Sequence, residues 1–250
     1  MYTKKELYDR LKSLLALEFN CAVDDFNSSN NIITKPVERE GQRKYIDGTF
    51  FFKMVTMGNN AIISADESLH ERLREFVMDK TGHHLFEHRN LVEIDNILNQ
   101  YNKRLWQTHH MFLPDTKNIP MKEIAPIKWH EQEDIMKFYE GKQFPNALCE
   151  KFQPERPDML AVTAYDRENI IGMAGCSADT ADMWQIGIDV NEKYRGKGIG
   201  TYLVTQLKNE VLKRDKIPFY GTSLSNLHSW NIAINSGFYP AWVEVETIEG

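Results

Sequence analysis

Hydrophobic residues recur along this chain at two periods, and those periods lay out its elements. Near the start Leu7, Leu11, Leu14 and Leu15 fall three and four residues apart, which predicts a helix to about residue 19. Thr3, with Glu6 three residues on, is a capping box that would open it. Residues 22–43 are polar and rich in Asn and read as loop. Residues 45–57 hold Phe50, Phe51, Phe52, Val55 and Thr56 and predict a strand, which Gly58-Asn59-Asn60 turns back into another at 61–64. A second capping box, Ser68 with Glu71, precedes Leu69, Leu73, Phe76 and Val77, with Gly82 as the stop. A third helix carries Leu91, Ile94, Leu98, Tyr101 and Leu105 on one face. The polar stretch 115–120 ends in Pro120 and marks a boundary, giving an N-terminal α+β domain at 1–118 and a second domain at 119–250.

In the second domain a short strand is expected at 124–129 and a helix at 130–141 around Ile135, Met136 and Phe138. A proline-bearing connection, 145–157, follows. Alternation predicts strands at 159–165, 170–176 and 183–190 in antiparallel succession, and Gly172 and Gly175 admit a close approach of other backbone. A helix at 199–213 would bury Ile199, Leu203, Val204, Leu207, Val211 and Leu212, with Pro218 as its breaker. A strand at 219–224, a short helix at 226–236 stopped by Gly237 and a strand at 238–247 complete the chain. The fold class is α+β, or α/β in the broad sense: a mixed, mainly antiparallel sheet flanked by helices.

Composition narrows the class without naming a function. Hydrophobic residues make up 42% of the 250 and charged residues 26%, values ordinary for a globular chain. A net charge of −6 argues against a general nucleic-acid binder. Cys21, Cys149 and Cys176 are three, widely spaced, and read as free thiols of a reducing compartment. The opening Met-Tyr-Thr-Lys-Lys-Glu does not resemble a signal peptide, and no apolar run approaches the roughly 20 residues of a membrane helix. A cytoplasmic protein with no nucleic-acid and no membrane partner is expected.

Two histidine groups invite a metal reading. His84-Leu85-Phe86-Glu87-His88 matches HxxEH, in which two imidazoles on one helix face could hold zinc beside a glutamate base. It falls after Gly82 and before the next helix, and no third ligand is identifiable, so loop or first-turn residues are the better reading. His109 and His110 are adjacent, and in a strand they would point to opposite faces. No metal site is assigned.

The densest chemistry lies in Tyr194-Arg195-Gly196-Lys197-Gly198-Ile199-Gly200-Thr201. Three glycines in five residues let backbone approach a ligand, and the helix that follows presents unpaired N–H groups and a positive dipole end. With Arg195 and Lys197 beside it, the stretch reads as a phosphate or pyrophosphate cradle. GxxxxGK[ST] and GxGxxG are both absent, and the preceding strands form hairpins, so neither a P-loop nor a dinucleotide fold is indicated.

Arg195-Gly-Lys-Gly198-Ile-Gly200 resembles the R/Q-x-x-G-x-G/A acyl-CoA signature of the GNAT superfamily of N-acetyltransferases. Asn226-Leu-His-Ser229 followed by Gly237-Phe238 is similar to that family's second signature, in the same order and separated by one strand. The resemblance covers residues 158–245, with the element order extending it back to 121; the first half matches no family. It implies a V-shaped gap between two strands in which the pantetheine arm of acetyl-CoA lies like an added strand. Ile188, Asp189 and Val190 would then supply backbone partners. Arg195, Gly196, Lys197, Gly198, Ile199, Gly200 and Thr201 would hold the pyrophosphate. Asn226 and Ser229 would reach the pantetheine arm, with helix capping as the plainer role for both. The resemblance also implies an oxyanion donor in the backbone near Ile188.

A carboxylate base at the start of the strand maps to Asp182, with a plain turn residue as the equal alternative. Many members carry a tyrosine acid seven residues after the motif asparagine; here that position is Ala233. Tyr239 is the stand-in assigned, with Tyr220, Cys176 or water as others. The expected function is acetyl-CoA-dependent transfer to a primary amine of an unidentified acceptor, and a homodimer is allowed. The other readings are an acyl-CoA-binding regulatory module without catalysis and a zinc peptidase. The first half would serve as a lid or substrate wall.

Overall fold

In the computed structural model, which describes residues 2–117 and 119–248, the chain separates into two units. One takes in the chain up to Leu7 together with Phe112–Pro240, and the other Tyr8–Met111 together with the chain from Ala241 on. The boundary expected at 118/119 falls on Asn118, outside the described residues.

The unit made mainly of the first half begins on helix α1 (Lys4–Glu18). Its capping box forms as read: the Thr3 N–H donates to Glu6 Oε2 at 2.7 Å, and the Glu6 N–H to Thr3 Oγ1 at 3.2 Å. Strands β1 (Ile32–Thr34), β2 (Phe52–Thr56) and β3 (Ala61–Ala65) follow, then helices α2 (His70–Val77) and α3 (His88–Asn99). β4 (His109–Pro114) leads out of this unit, and the end of β10 (Phe238–Glu246) returns to it. Strand order is β1-β3-β2-β10, with β1 and β3 parallel and the other pairs antiparallel. Leu73, Val77, Ile94 and Leu98 pack with Phe52, Met54 and Ile63 in one fully buried cluster. Each such side chain contributes on the order of 2 kcal/mol.

Four expectations here are corrected. The loop 22–43 contains β1 and a 3₁₀ turn (Val23–Asn27), and the aromatic strand is confined to Phe52–Thr56. The cap before α2 is Asp66, not Ser68: its carboxylate accepts from Ser68 N at 3.0 Å and Oγ at 2.6 Å, opening a 3₁₀ turn two residues earlier. The third helix stops at Asn99, and Leu105 instead bridges to Thr247.

This unit also buries an ionic cluster. The Arg43 guanidinium donates to both oxygens of Glu18 (2.7 and 2.8 Å) and both of Glu244 (3.1 and 2.8 Å). Lys53 on β2 lies 4.6 Å from the Phe19 ring centroid, and its register partner on β10 is Glu246. Burial, then the Glu244 charge, pushes the Glu246 carboxyl up to about 7.

The second unit holds the region of interest. β5 (Ile127–Glu131) and α4 (Gln132–Tyr139) precede three long strands, β6 (Asp158–Asp166), β7 (Asn169–Ala178) and β8 (Met183–Val190). α5 (Ile199–Lys213), β9 (Ile217–Ser223), α6 (Leu227–Asn235) and the start of β10 complete it. The strand order is β4-β9-β8-β7-β6-β5. The β5-β6, β6-β7 and β7-β8 pairs are antiparallel and β8-β9 is parallel, so the expected mixed, mainly antiparallel sheet is present.

α5 begins and ends as read, and its Ile199, Leu203, Val204, Leu207 and Val211 are buried against Val162, Ile186, Tyr220 and Phe238. Pro218 does not break it. The helix ends at Lys213, Asp215 takes a positive φ of 57°, and Pro218 sits inside β9 opposite Trp184. No helix among the described residues is long and apolar enough to cross a membrane.

Candidate acyl-donor site

A fork between two parallel strands frames the site. β8 and β9 pair through Met183↔Ile217, Trp184↔Pro218, Gln185↔Phe219 and Ile186↔Tyr220, and there the ladder stops. β8 nevertheless continues to Val190, still paired to β7 on its other side, and β9 continues to Ser223. Gly187, Ile188, Asp189 and Val190 therefore present an edge without a strand partner in β9, facing the divergence from Gly221, Thr222 and Ser223. Backbone edges of this kind accept an added extended segment. The Thr222 Oγ1, buried on the open part of β9, has no hydrogen-bond partner among the described residues.

The glycine turn follows directly. Asn191 caps a 3₁₀ turn (Glu192–Tyr194) through its side chain, and the Arg195 Nε donates to Val190 O at 3.0 Å. The Tyr194 hydroxyl donates to Asp166 at 2.7 Å, tying the turn to the β6-β7 hairpin. Gly196 and Gly198 take φ of +74° and +80°, the left-handed region that side chains disfavour. α5 then starts on Gly198 with no side-chain cap, so its first N–H groups are not satisfied by a capping side chain. Gly200 serves packing: a Cβ there would meet Ile232 Cδ1 of α6 at 2.9 Å. Arg195 and Lys197 are exposed, and Lys197 Nζ lies 5.0 Å from the Tyr194 ring centroid. Ile188, Asp189, Val190 and the residues from Arg195 to Thr201 thus form one continuous path along β8 into α5.

On the β9 side, Asn226 caps α6: its Oδ1 accepts from the Ser229 N–H at 3.1 Å, which leaves its Nδ2 donors. The Ser229 Oγ lies 2.8 Å from the Tyr220 hydroxyl. Ala233, one turn on, is fully buried.

The two residues assigned to catalysis are not brought to the fork. Asp182 is exposed at the far end of β8, where its carboxylate faces Lys216 Nζ at 3.8 Å and its carbonyl accepts from Ile217 N. Six residues separate it from Ile188, about 20 Å of strand. Tyr239 follows Phe238, which is in the α5 core, so alternation turns Tyr239 to the opposite face, where Lys4 Nζ lies 4.5 Å from its ring centroid. Cys176 is buried and donates to Leu160 O at 3.5 Å, and burial pushes its thiol far up, which removes it as a reactive group.

The histidine motif does not assemble either. His84 lies in a 3₁₀ turn (Gly82–Phe86), Glu87 is extended, and His88 is the first residue of α3, so the two imidazoles do not share a helix face.

Residues the sequence reading missed cover one face of β8. The Asp189 carboxylate accepts three hydrogen bonds from a loop: Asn146 N at 2.7 Å, Asn146 Nδ2 at 2.6 Å and Ala147 N at 3.0 Å. The loop backbone lies so close that a Cβ on Gly187 would stand 1.9 Å from Asn146 O, and one on Gly175 would stand 2.3 Å from Ala147 O. Gly175 and Gly187 are register partners. That facing pair of strand glycines was the available signal. The same loop is held at its other end by Asp158, which accepts from Tyr139 Oη at 2.8 Å and Cys149 N at 2.9 Å.

The acetyltransferase (GNAT) family model matches residues 123–238, just under half of the chain, and the first half is unmatched. Among solved structures, a putative GNAT acetyltransferase from Novosphingobium aromaticivorans is 13% identical with a TM-score of 0.46, over 58% of this chain and 64% of that one. The match therefore spans a little less than two thirds of that protein's length. A GNAT-family acetyltransferase from Colwellia psychrerythraea is 12% identical with a TM-score of 0.46, over 99% of this chain and 97% of that one. No curated protein matches the chain.

Proposed function

We propose that this chain, whose residues 123–238 are a domain of the acetyltransferase (GNAT) family, transfers an acetyl group from acetyl-CoA directly to a primary amine. The observation that carries the reading is the fork: a parallel pair that closes at Ile186↔Tyr220 and opens toward an uncapped, glycine-led helix start. An extended arm laid along the open edge of Ile188, Asp189 and Val190 would run out onto the N–H groups of residues 195–201, where pyrophosphate is favoured. Lys197 adds exposed positive charge there, Asn226 offers its Nδ2 to the arm, and Thr222 offers an unused hydroxyl.

The chemistry asks for three services. A free alkyl amine titrates near ~10, so the acceptor must lose a proton before its lone pair attacks. The carbonyl oxygen then gains charge, which a backbone N–H on the open edge near Ile188 would receive. The departing sulfur must carry the bonding pair or take a proton.

A second reading, a module that binds acyl-CoA without turnover, is favoured by the buried methyl of Ala233, which offers no acid. Thiol release from acetyl-CoA with a panel of primary amines separates the two. The proposal expects steady release with at least one amine. CoA binding with no release on any amine supports the second reading, and absence of CoA binding contradicts both.

A further inference from the structure

Both strands of the fork carry glycine at the first position past its closure. Ile186↔Tyr220 is the last pair of the β8-β9 ladder, and the next residues are Gly187 on β8 and Gly221 on β9. Ile186 and Tyr220 belong to the core packed under α5, so alternation turns the two glycine positions to the opposite face of the sheet. Neighbouring positions of paired strands share a face, so the two missing side chains leave a single notch at the apex of the fork.

Three walls bound that notch. Behind it runs the intact ladder. Over Gly187 stands the loop backbone, with Asn146 O 1.9 Å from where a Cβ would lie, and the Asp189 carboxylate fixes that loop through three hydrogen bonds. On the α5 side the space is filled by rings. Buried Tyr220 lies edge-on to Phe112 (centroids 6.4 Å) and tilted to Phe238 (6.0 Å), and Phe112 is edge-on to Trp230 (5.0 Å). The Tyr220 hydroxyl lies 2.8 Å from the Ser229 Oγ, which holds the ring in place. Rings packed in this way do not admit further carbons without being displaced. Gly221 itself is half-buried and puts no side chain beside the loop.

The place of the notch along the fork selects its occupant. Four residues of strand, roughly 13 Å, separate Ile186 from Val190 at the open end. An arm whose phosphate end rests on the start of α5 runs inward along this edge, so the group beyond its sulfur falls at the apex.

We propose that Gly221, together with Gly187, sets the length of the acyl group that the site accepts: the notch takes acetyl and excludes chains as long as hexanoyl. This rests on the acyl-CoA reading of the fork. The β-branched residues common in strands would fill the same space with their own methyl groups.

Calorimetric titration with CoA, acetyl-CoA and hexanoyl-CoA tests the proposal without an acceptor. The wild type should bind acetyl-CoA at least as tightly as CoA, and hexanoyl-CoA at least tenfold more weakly than acetyl-CoA. Gly221→Val should bind CoA close to the wild-type affinity and acetyl-CoA at least tenfold more weakly, at a similar melting midpoint. Equal affinity of the wild type for acetyl-CoA and hexanoyl-CoA overturns the length limit. Unchanged acetyl-CoA binding by Gly221→Val, or an equal loss of CoA and acetyl-CoA, overturns the role of Gly221; all three results leave the acyl-CoA reading standing. A wild type that binds none of the three overturns that reading, and this one with it. Should Gly221→Val not fold, Gly221→Ala should still weaken acetyl-CoA relative to CoA, and an unchanged ratio would overturn the role.

Discussion

Asp189 shows how one side chain can serve two neighbours. Its backbone lies on the open edge of β8, while its carboxylate gathers Asn146 and Ala147 onto the strand. Charge-assisted bonds of this kind are worth roughly 1–3 kcal/mol each. Asp189→Asn replaces one acceptor oxygen with an N–H donor facing other donors, and Gly187→Ala inserts a carbon where Asn146 O already stands. Both variants should release residues 144–148. Hydrogen exchange in that segment should quicken at least tenfold while exchange in α5 is unchanged. Unaltered protection in both variants would show that the clamp does not hold the loop.

At the scale of elements, legibility followed how local the determinants were. α5 was readable to the residue because its apolar stripe, its left-handed glycines and its C-terminal turn all lie in one stretch of sequence. β8 was equally plain. The Asp66 cap was missed because Ser68 and Glu71 satisfied the same local template. β1 was missed because a three-residue strand in polar sequence is specified by its partner β3 rather than by its own pattern. The cradle and both signatures were visible as motifs. The Asp189 clamp and the Tyr220–Ser229 pair were not, since each joins residues whose proximity only the fold creates. Asp182 and Tyr239 illustrate the converse: a plausible residue type at a plausible sequence offset, set by strand direction and alternation away from the fork.

At the scale of the whole molecule, the titratable ionic cluster lies in one of the two units. In the unit of Tyr8–Met111, Glu246 faces Lys53 and lies near Glu244, Glu18 and Arg43, and its carboxyl titrates up near 7. A carboxyl raised above its unfolded value favours folding while protonated, so this contribution is present in acid and lost as pH rises through about 7. Glu246→Gln should therefore melt a few degrees above wild type at pH 8 and close to it at pH 5. An equal shift at both pH values would contradict the raised titration.

In the other unit, the fork and the glycine turn would hold an acyl-CoA. Calorimetric titration with acetyl-CoA of the wild type and of Gly198→Val tests it most directly. Gly198 holds a φ of +80°, and a side chain there costs about 1–2 kcal/mol of conformational strain, relieved by turning the cradle's N–H groups away. Single-site binding to the wild type is expected, weakened at least tenfold in the variant at an otherwise similar melting midpoint. Equal affinity in both proteins, or no binding to the wild type, would contradict it.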